Sequence, residues 1–136
     1  MQAVRTIAAV LVAVLLGIVA YQQSEIISNQ KAQMRQQFHS DGQVLWGVLG
    51  EDGLKKILSG SGELTTKESF AAGSLLHRAI LIQKDISVAY TKEEKELAFV
   101  ECRGMLHSSV MRDKWKQVRS WYAKDSQAII DACVPE

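Results

Sequence analysis

Hydrophobic residues open the chain in one uninterrupted run, and only after it do polar residues alternate with them. The run, residues 7–21, reads IAAVLVAVLLGIVAY and carries no charge. A bilayer offers the backbone no hydrogen-bond partner, so such a run is stable there as a helix, which satisfies its own backbone groups. It covers about 22 Å, or about 27 Å when counted from Val4, against roughly 30 Å of hydrocarbon. The pattern predicts a single transmembrane anchor.

Seven residues of this anchor are expected to contact acyl chains or headgroups. They are Arg5, Ile7, Leu11, Leu15, Leu16, Ile18 and Tyr21. Arg5 can extend its charge to the headgroups at one interface. Tyr21 places an aromatic ring with a polar tip at the other interface, where such rings are favoured. Membrane lipid is therefore the first predicted partner.

The same run also has features of a cleaved signal peptide, with Arg5 before the apolar core and the small Ala20 at its end. Position −3 to such a cut would be Ile18, which is bulky where a small residue is preferred. In addition, neither Pro nor Gly occurs between Gly17 and Gly42 to break the helix. These observations favour a retained anchor. The alternatives are cleavage, which would release a soluble periplasmic or secreted helical binding protein, and a helix buried in a soluble protein.

Charges near the two ends of the run do not decide its orientation. Arg5 lies on one side, and Lys31 and Arg35, offset by Glu25, lie on the other. The positive-inside rule weighs such short flanks, and here they nearly balance. We slightly prefer a signal-anchor arrangement in a bacterial inner membrane, with the following domain on the periplasmic or extracytoplasmic side.

Residues 22–63 are expected to form a juxtamembrane region. Residues 22–39 are polar but helix-tolerant and predict a stalk that continues the membrane helix, with a break at residues 40–42. Residues 43–49, which include Trp46, are expected to pack on the domain or lie near the membrane surface. A turn at 50–53 then precedes a short helix, and Ser-Gly-Ser-Gly at 59–62 predicts a flexible loop.

Two capping boxes predict a helical hairpin in residues 64–136. Thr65 and Glu68 fit the first box, which begins a helix expected to run to about Tyr90, and Thr91 and Glu94 fit the second. Such a short connection makes the two helices antiparallel neighbours. The predicted fold is therefore all-α: residues 1–21 as tail and anchor, residues 22–63 as stalk and connection, and residues 64–136 as a bundle of about three to four helices.

Charge and motifs exclude several functional classes. One of the sixteen Lys and Arg residues precedes the end of the run, which leaves fifteen to balance fifteen Asp and Glu. A nucleic-acid-binding domain usually has a basic excess, so no nucleic-acid partner is predicted. The glycines at 59–62 lack the following Lys-Ser or Lys-Thr of a phosphate-binding loop. We predict no cofactor, no metal and no small-molecule substrate.

Two cysteines, Cys102 and Cys133, lack metal-ligand spacing, because neither has a second Cys or His two to four residues away. In an oxidising compartment they can form one disulfide between the last two helical segments. The alternative is two small buried side chains, which are common for Cys. Pairing would require Cα atoms within about 7 Å, so the sequence leaves both interpretations open.

The final segment contains a basic and aromatic surface that is a candidate interaction site. Met111, Trp115, Val118 and Tyr122 have the spacing of a core stripe, which leaves Trp121 on another side of the segment. The candidate residues are Arg112, Lys114, Lys116, Arg119, Trp121 and Lys124. Such a patch can contact anionic headgroups or a protein partner. The alternative is that the basic side chains cover the edges of a core built on Trp115.

Catalytic chemistry finds little support in the sequence. His39, His77 and His107 are widely spaced, and no Glu-x-x-His pair of the kind used in helical-bundle metal sites occurs. A small enzyme using His77, Glu101 or Cys102 is therefore the third hypothesis, and we expect the protein not to be an enzyme.

The C-terminal stretch MRDKWKQVRSWYAKDSQAIIDACV resembles the end of several uncharacterised bacterial families of membrane-anchored helical proteins. Its shared features are Trp115, a basic Arg119, the pair Trp121-Tyr122 and an apolar-acidic close at 129–131. The resemblance covers about a fifth of the chain and implies an all-helical domain on a membrane tether, without an activity. The leading hypothesis is a protein-interaction, accessory or scaffold protein anchored in a membrane.

Overall fold

The computed structural model describes the backbone of residues 2–136, with side chains at residue 7 and residues 9–136. Its elements are α1 (Gln2–Ser59), α2 (Thr66–Lys84), α3 (Lys92–Leu106), α4 (Ser109–Val118), a 3-10 turn (Arg119–Trp121) and α5 (Lys124–Asp131). The all-α prediction is confirmed, as is the hairpin, since α2 and α3 are antiparallel neighbours. The Arg5 side chain, one of the predicted anchor residues, lies outside the described side chains.

The first helix is longer than expected, and its interruption lies at Gly50, where the turn at 50–53 was predicted to begin. The predicted break at 40–42 is wrong, because α1 continues through Gly42 and departs from helical geometry only at Gly50, with φ 66° and ψ −179°. This positive φ is accessible to glycine at no steric cost. Gly42 has a different purpose: it lies against the guanidinium of Arg78, where a Cβ atom would clash. That close approach lets Arg78 donate to the Phe38 carbonyl and lie over the Phe38 ring.

The second helix ends earlier than expected. It stops at Lys84 rather than near Tyr90, because the Asp85 carboxylate accepts hydrogen bonds from the Ser87 backbone N–H, at 2.9 Å, and from the Ser87 hydroxyl. This local bonding competes with continuation of the helix. The following turn brings Tyr90 back into a small buried cluster beside Phe38.

Both predicted capping boxes are confirmed. The Thr65 hydroxyl accepts from Glu68 N–H and the Glu68 carboxylate accepts from Thr65 N–H, and Thr91 and Glu94 repeat the arrangement. Each box satisfies backbone donors that the first turn of a helix otherwise leaves free. The starts of α2 and α3 are therefore fixed by residues adjacent in sequence.

One hydrophobic core joins the end of α1 to the other helices. Leu49 and Ile57 from α1 are buried with Leu76, Leu106 and Met111. Residues 43–49 therefore pack on the domain. The predicted stripe of the last segment packs on this core as well, and after Val118 the α-helix gives way to a 3-10 turn.

The beginning of α1 lies outside that core. Among the described residues, α1 is the one helix long and apolar enough to span a membrane, and its apolar window is not buried against the rest of the chain. A buried core helix of a soluble protein would be covered, so this exposure argues against that interpretation. A signal sequence would satisfy the same criteria.

Candidate functional site

A groove on the outer side of the bundle lies between α2 and the α4 segment with its 3-10 turn. Its volume is about 420 Å³. Its lining residues are Ser69, Phe70, Gly73, Ser74, Leu76, His77, Ile80, Lys114, Trp115, Val118, Trp121 and Tyr122. We call this surface the aromatic groove, because Phe70, Trp115, Trp121 and Tyr122 all contribute to it.

The floor of the aromatic groove is held in place by buried contacts. Trp115 is buried, and its indole Nε1 donates to the Asp131 carboxylate at 2.9 Å. The Tyr122 ring lies with its centroid 5.6 Å from that of Trp115 and 5.8 Å from that of His77. Contacting aromatic rings at such separations stabilise one another beyond simple burial. The floor is therefore a preorganised surface.

The rim of the groove consists of two aromatic side chains that are largely in solvent. Phe70 is 69% exposed and Trp121 is 80% exposed. Single exposed apolar residues are ordinary, but these two large rings line the same groove. Trp is also among the residue types enriched at the energetic centres of protein interfaces.

The groove is positively charged at one end. Lys114 reaches across it from α4, and its Nζ donates to the Ser69 hydroxyl of α2 at 2.5 Å. Gly73 allows this approach, because a Cβ there would lie 3.2 Å from the Lys114 Cε. Among the described residues that line the groove, none is acidic. The arrangement is therefore suited to an apolar segment that also carries negative charge.

The residues of the predicted basic patch have different contacts. Lys114 and Trp121 line the groove, but Arg119 forms a bidentate ion pair with Asp131, from Nε to Oδ1 at 3.0 Å and from Nη2 to Oδ2 at 2.6 Å. This pair lowers the pKa of the Asp131 carboxyl and raises that of Arg119. Its second effect is to orient Asp131 towards the indole of Trp115. Arg119 thus supports the floor of the groove.

The other three basic residues of the predicted patch have different surroundings. Arg112 donates to the carbonyls of Leu106 and His107, at 2.9 and 2.6 Å, where it satisfies the end of α3. Lys116 pairs with Asp113 at 3.1 Å in an exposed position. Lys124 is the exposed first residue of α5. A role for these three in binding remains a prediction.

The two cysteines are neighbours in the core. Cys102 and Cys133 are both buried and both are free thiols. The neighbouring Cys133 thiol and burial raise the pKa of Cys102, whereas the neighbouring Cys102 thiol lowers the pKa of Cys133. Cys133 also donates to the Ile129 carbonyl at 3.5 Å. The structure therefore brings the pair together, while the disulfide remains a prediction.

The stalk is attached to the bundle by an ion pair. Arg35 of α1 donates to the Glu94 carboxylate at 2.5 Å, and the His39 ring lies 3.3 Å from the same oxygen. The pair with Arg35 lowers the pKa of Glu94 to about 2. Glu94 is also the acidic member of the capping box of α3. One carboxylate thus fixes both the start of α3 and its contact with the stalk.

The residues considered for catalysis lie in different places. His77 lines the aromatic groove, Glu101 and Cys102 line a separate cleft between α1, α2 and α3, and His107 is the exposed C-cap of α3. Within the described side chains, no group of three or more His, Cys, Asp or Glu residues is placed to hold a metal ion.

Phe70 is not among the site residues predicted from the sequence, although it lines the groove. The available signal was its spacing: Phe70, Ser74 and His77 lie at i, i+4 and i+7, which is one helix face distinct from the buried Leu76 and Ile80.

Comparison with protein-family models, curated proteins and solved structures finds no match to this chain.

Proposed function

We propose that this protein is a single-pass membrane protein whose helical domain is an interaction module, acting as an accessory or scaffold subunit. The observation that carries the proposal is the presence of two exposed apolar surfaces on one chain. One is the apolar run at residues 7–21, which suits lipid, and the other is the aromatic groove, which suits protein. The lipid and protein contacts are made by different parts of one continuous chain.

The position of the groove along α1 favours a protein rather than headgroups as its occupant. Arg78, beside the groove residue His77, contacts α1 at Phe38 and Gly42. When Tyr21 lies at the membrane interface, the rise of an α-helix places Phe38 and Gly42 about 30 Å above that interface. An average helix tilt of about 20° shortens this distance little. Headgroup charge is screened within about 8 Å, so the groove lies beyond its reach.

The membrane part of the proposal is tested by fractionation with measurement of the intact mass. The expected result is a chain beginning at Met1 that stays with the membrane pellet after an alkaline wash. A mature chain beginning near Tyr21 in the soluble fraction would instead establish the cleaved periplasmic or secreted form. A full-length chain in the soluble fraction would refute both forms.

The docking part is tested by photo-crosslinking in the cells that make the protein. A photoreactive amino acid replaces Trp121, and in a matched control it replaces Val44, which is 61% exposed on α1 away from the groove. We expect a defined crosslinked protein with the groove probe, lost when Phe70 is changed to Ser. Equal crosslinking from both positions, or none from the groove, would refute docking at this site.

A further inference from the structure

A second concavity lies between α1, α2 and α3, and no described residue lines both it and the aromatic groove. We call it the three-helix cleft. Its lining includes Trp46 of α1, Leu75 and Arg78 of α2, and Leu97 and Glu101 of α3. Its volume is about 180 Å³. Pockets for drug-sized ligands usually measure about 300–1,000 Å³, so this cleft suits a smaller molecule.

A guanidinium is held in place within the cleft. Arg78 is the one Lys or Arg among the described residues that line it. Its Nη1 donates to the Phe38 carbonyl, and its guanidinium carbon lies 4.3 Å from the centroid of the Phe38 ring. Gly42 leaves room for this arrangement, because a Cβ there would clash with the guanidinium. The charge is therefore positioned before a ligand arrives, which lowers the cost of binding.

Most of the hydrogen-bonding capacity of Arg78 is unused. A guanidinium can donate several hydrogen bonds, but the Phe38 carbonyl is the one acceptor that Arg78 has among the described residues. No ion pair between described side chains includes it. None of its nitrogens is among the buried atoms that lack a partner, so its free donors are accessible to solvent. Such a fork of donors binds a carboxylate through two parallel hydrogen bonds.

The α3 wall of the cleft contributes a carboxylate that is also unpaired. The Glu101 side chain is exposed and forms no ion pair with a described residue. Burial lowers the pKa of Arg78, and the charge of Glu101 is among those that oppose this shift, so the two groups interact without bonding. The other acidic residue of the lining, Glu94, is already paired with Arg35. The cleft thus offers one available cation and one available carboxylate.

These two charges favour a zwitterion over a simple anion as the ligand. Glu101 would repel a plain carboxylate that approached Arg78, whereas it would attract a ligand that also carries an ammonium group. The apolar part of the lining, with Trp46, Leu75 and Leu97, suits an aliphatic side chain. We propose that the three-helix cleft binds a small zwitterion of the α-amino-acid type, with its carboxylate on Arg78 and its ammonium group on Glu101. This site goes beyond the docking function of the aromatic groove and does not depend on it.

Isothermal titration calorimetry of the full-length protein in detergent tests the proposal, with L-leucine as the probe. Two analogues each lack one of its charged groups: 4-methylpentanoate has no ammonium group, and 3-methylbutylamine has no carboxylate. We expect saturable binding of L-leucine. Each analogue should bind about five- to tenfold more weakly, because each lacks one charge-assisted contact.

The Glu101→Gln variant gives the sharpest result, because this exposed side chain makes no contact that holds the stalk. The variant should bind L-leucine about fivefold more weakly, as expected for an exposed ion pair. It should bind 4-methylpentanoate more tightly, because the repulsion is gone. A general loss of structure would weaken both ligands. Glu93→Gln, exposed on the same helix but outside the described lining, is the matched control and should change neither affinity.

The Arg78→Gln variant tests the other half of the site. It should weaken L-leucine and 4-methylpentanoate by about tenfold and leave 3-methylbutylamine unchanged. Circular dichroism checks its helices, since Arg78 also contacts α1, and if this variant unfolds the Glu101→Gln measurements still decide. No saturable binding of L-leucine, equal affinities for the three probes, or wild-type affinities in Glu101→Gln would each overturn the proposal. Crosslinking from Trp121 tests the groove separately.

Discussion

The two ends of α1 contain the same kinds of residue in opposite environments. Large apolar side chains of residues 7–21 are between 47% and 66% exposed, whereas Leu49 and Ile57, further along the same helix, are 2% and 1% exposed. The second pair is covered by α2 to α5, and no described segment covers the first set. Hydrophobicity alone therefore does not define the core of this protein. The core lies where another segment of the chain covers the hydrophobic side chains.

The difference has an energetic consequence. Burying a Val, Leu or Ile side chain contributes about 1.5–3 kcal/mol relative to leaving it in water. The bundle supplies this contribution for Leu49 and Ile57. The apolar run can gain this burial energy only from another phase or another molecule. Lipid acyl chains are the partner that suits a charge-free helix surface.

The largest effect is expected from charges placed within the apolar run. Changing both Leu11 and Leu15 to Arg should remove the protein from the membrane fraction, because each charge in the middle of a membrane helix costs about 2.5–3.5 kcal/mol. The matched control changes Ile27 and Met34, exposed on the stalk, to Arg and should leave fractionation unchanged. Retention of the Leu11 and Leu15 variant in membranes would contradict the anchor.

The next largest effect is expected from truncating a side chain in the core of the domain. Ile57→Ala should destabilise the domain by about 2–5 kcal/mol, through lost burial and the remaining cavity. Ile27→Ala in the same helix should change stability by less than about 0.5 kcal/mol. Urea unfolding of the full chain in detergent, followed by circular dichroism, measures both. Similar losses from the two variants would mean that the stalk is also covered.

A disulfide between Cys102 and Cys133 would further stabilise the bundle, which already buries its apolar side chains. Oxidation should remove two hydrogens from the intact mass and stabilise the domain by about 2–4 kcal/mol, because the bond constrains the unfolded chain. Reductant should reverse both changes, and Cys133→Ala should abolish them. Two thiols that remain free in protein isolated without reductant would contradict pairing.

The capping box fixes the start of α2, a helix that shares the hydrophobic core with Ile57. Thr65→Ala removes the acceptor for the Glu68 N–H and should cost about 1 kcal/mol. Thr66→Ala, one residue later and equally exposed, is the control, because its hydroxyl is not the cap. Equal unfolding midpoints for the two variants would contradict this role of Thr65.

The smallest effect concerns the ion pair between stalk and bundle. The pKa of Glu94 is lowered to about 2 by Arg35 from an ordinary value of 4.5. Its stabilisation is therefore present above about pH 4.5 and is lost as the pH falls towards 2. We expect a loss of about 1 kcal/mol for this partly exposed pair. Glu94→Gln should remove this part of the acid dependence and Glu96→Gln should not, as urea midpoints across that range will show.

Local signals allowed part of the fold to be predicted. Thr65 and Glu68 satisfy each other across three residues, so the start of α2 needs no tertiary information. Gly50 begins a predicted turn and does interrupt the helix, whereas Gly42 was predicted to break it and does not. The glycine at position 42 is instead explained by Arg78, which packs against it from another helix. No local pattern contains that contact.

The site was less accessible from the sequence for the same reason. Trp121 could be separated from the core stripe by its spacing, and its exposure agrees with that prediction. Arg119 could not be assigned, because its partner Asp131 lies on a later helix. Phe70 joins the groove only because α4 lies beside α2. Contacts between elements therefore decided which basic and aromatic residues share a surface.

We propose that the first part of α1 lies in lipid while the stalk lies in water. Nitroxide labels at positions 15 and 27 can distinguish the two environments, in full-length protein with both cysteines changed to Ala and reconstituted in vesicles. We expect the label at 15 to be relaxed by oxygen and shielded from a water-soluble nickel chelate, with the reverse at 27. A label at 15 that the chelate relaxes as strongly as the label at 27 would show that this part of α1 does not lie in lipid.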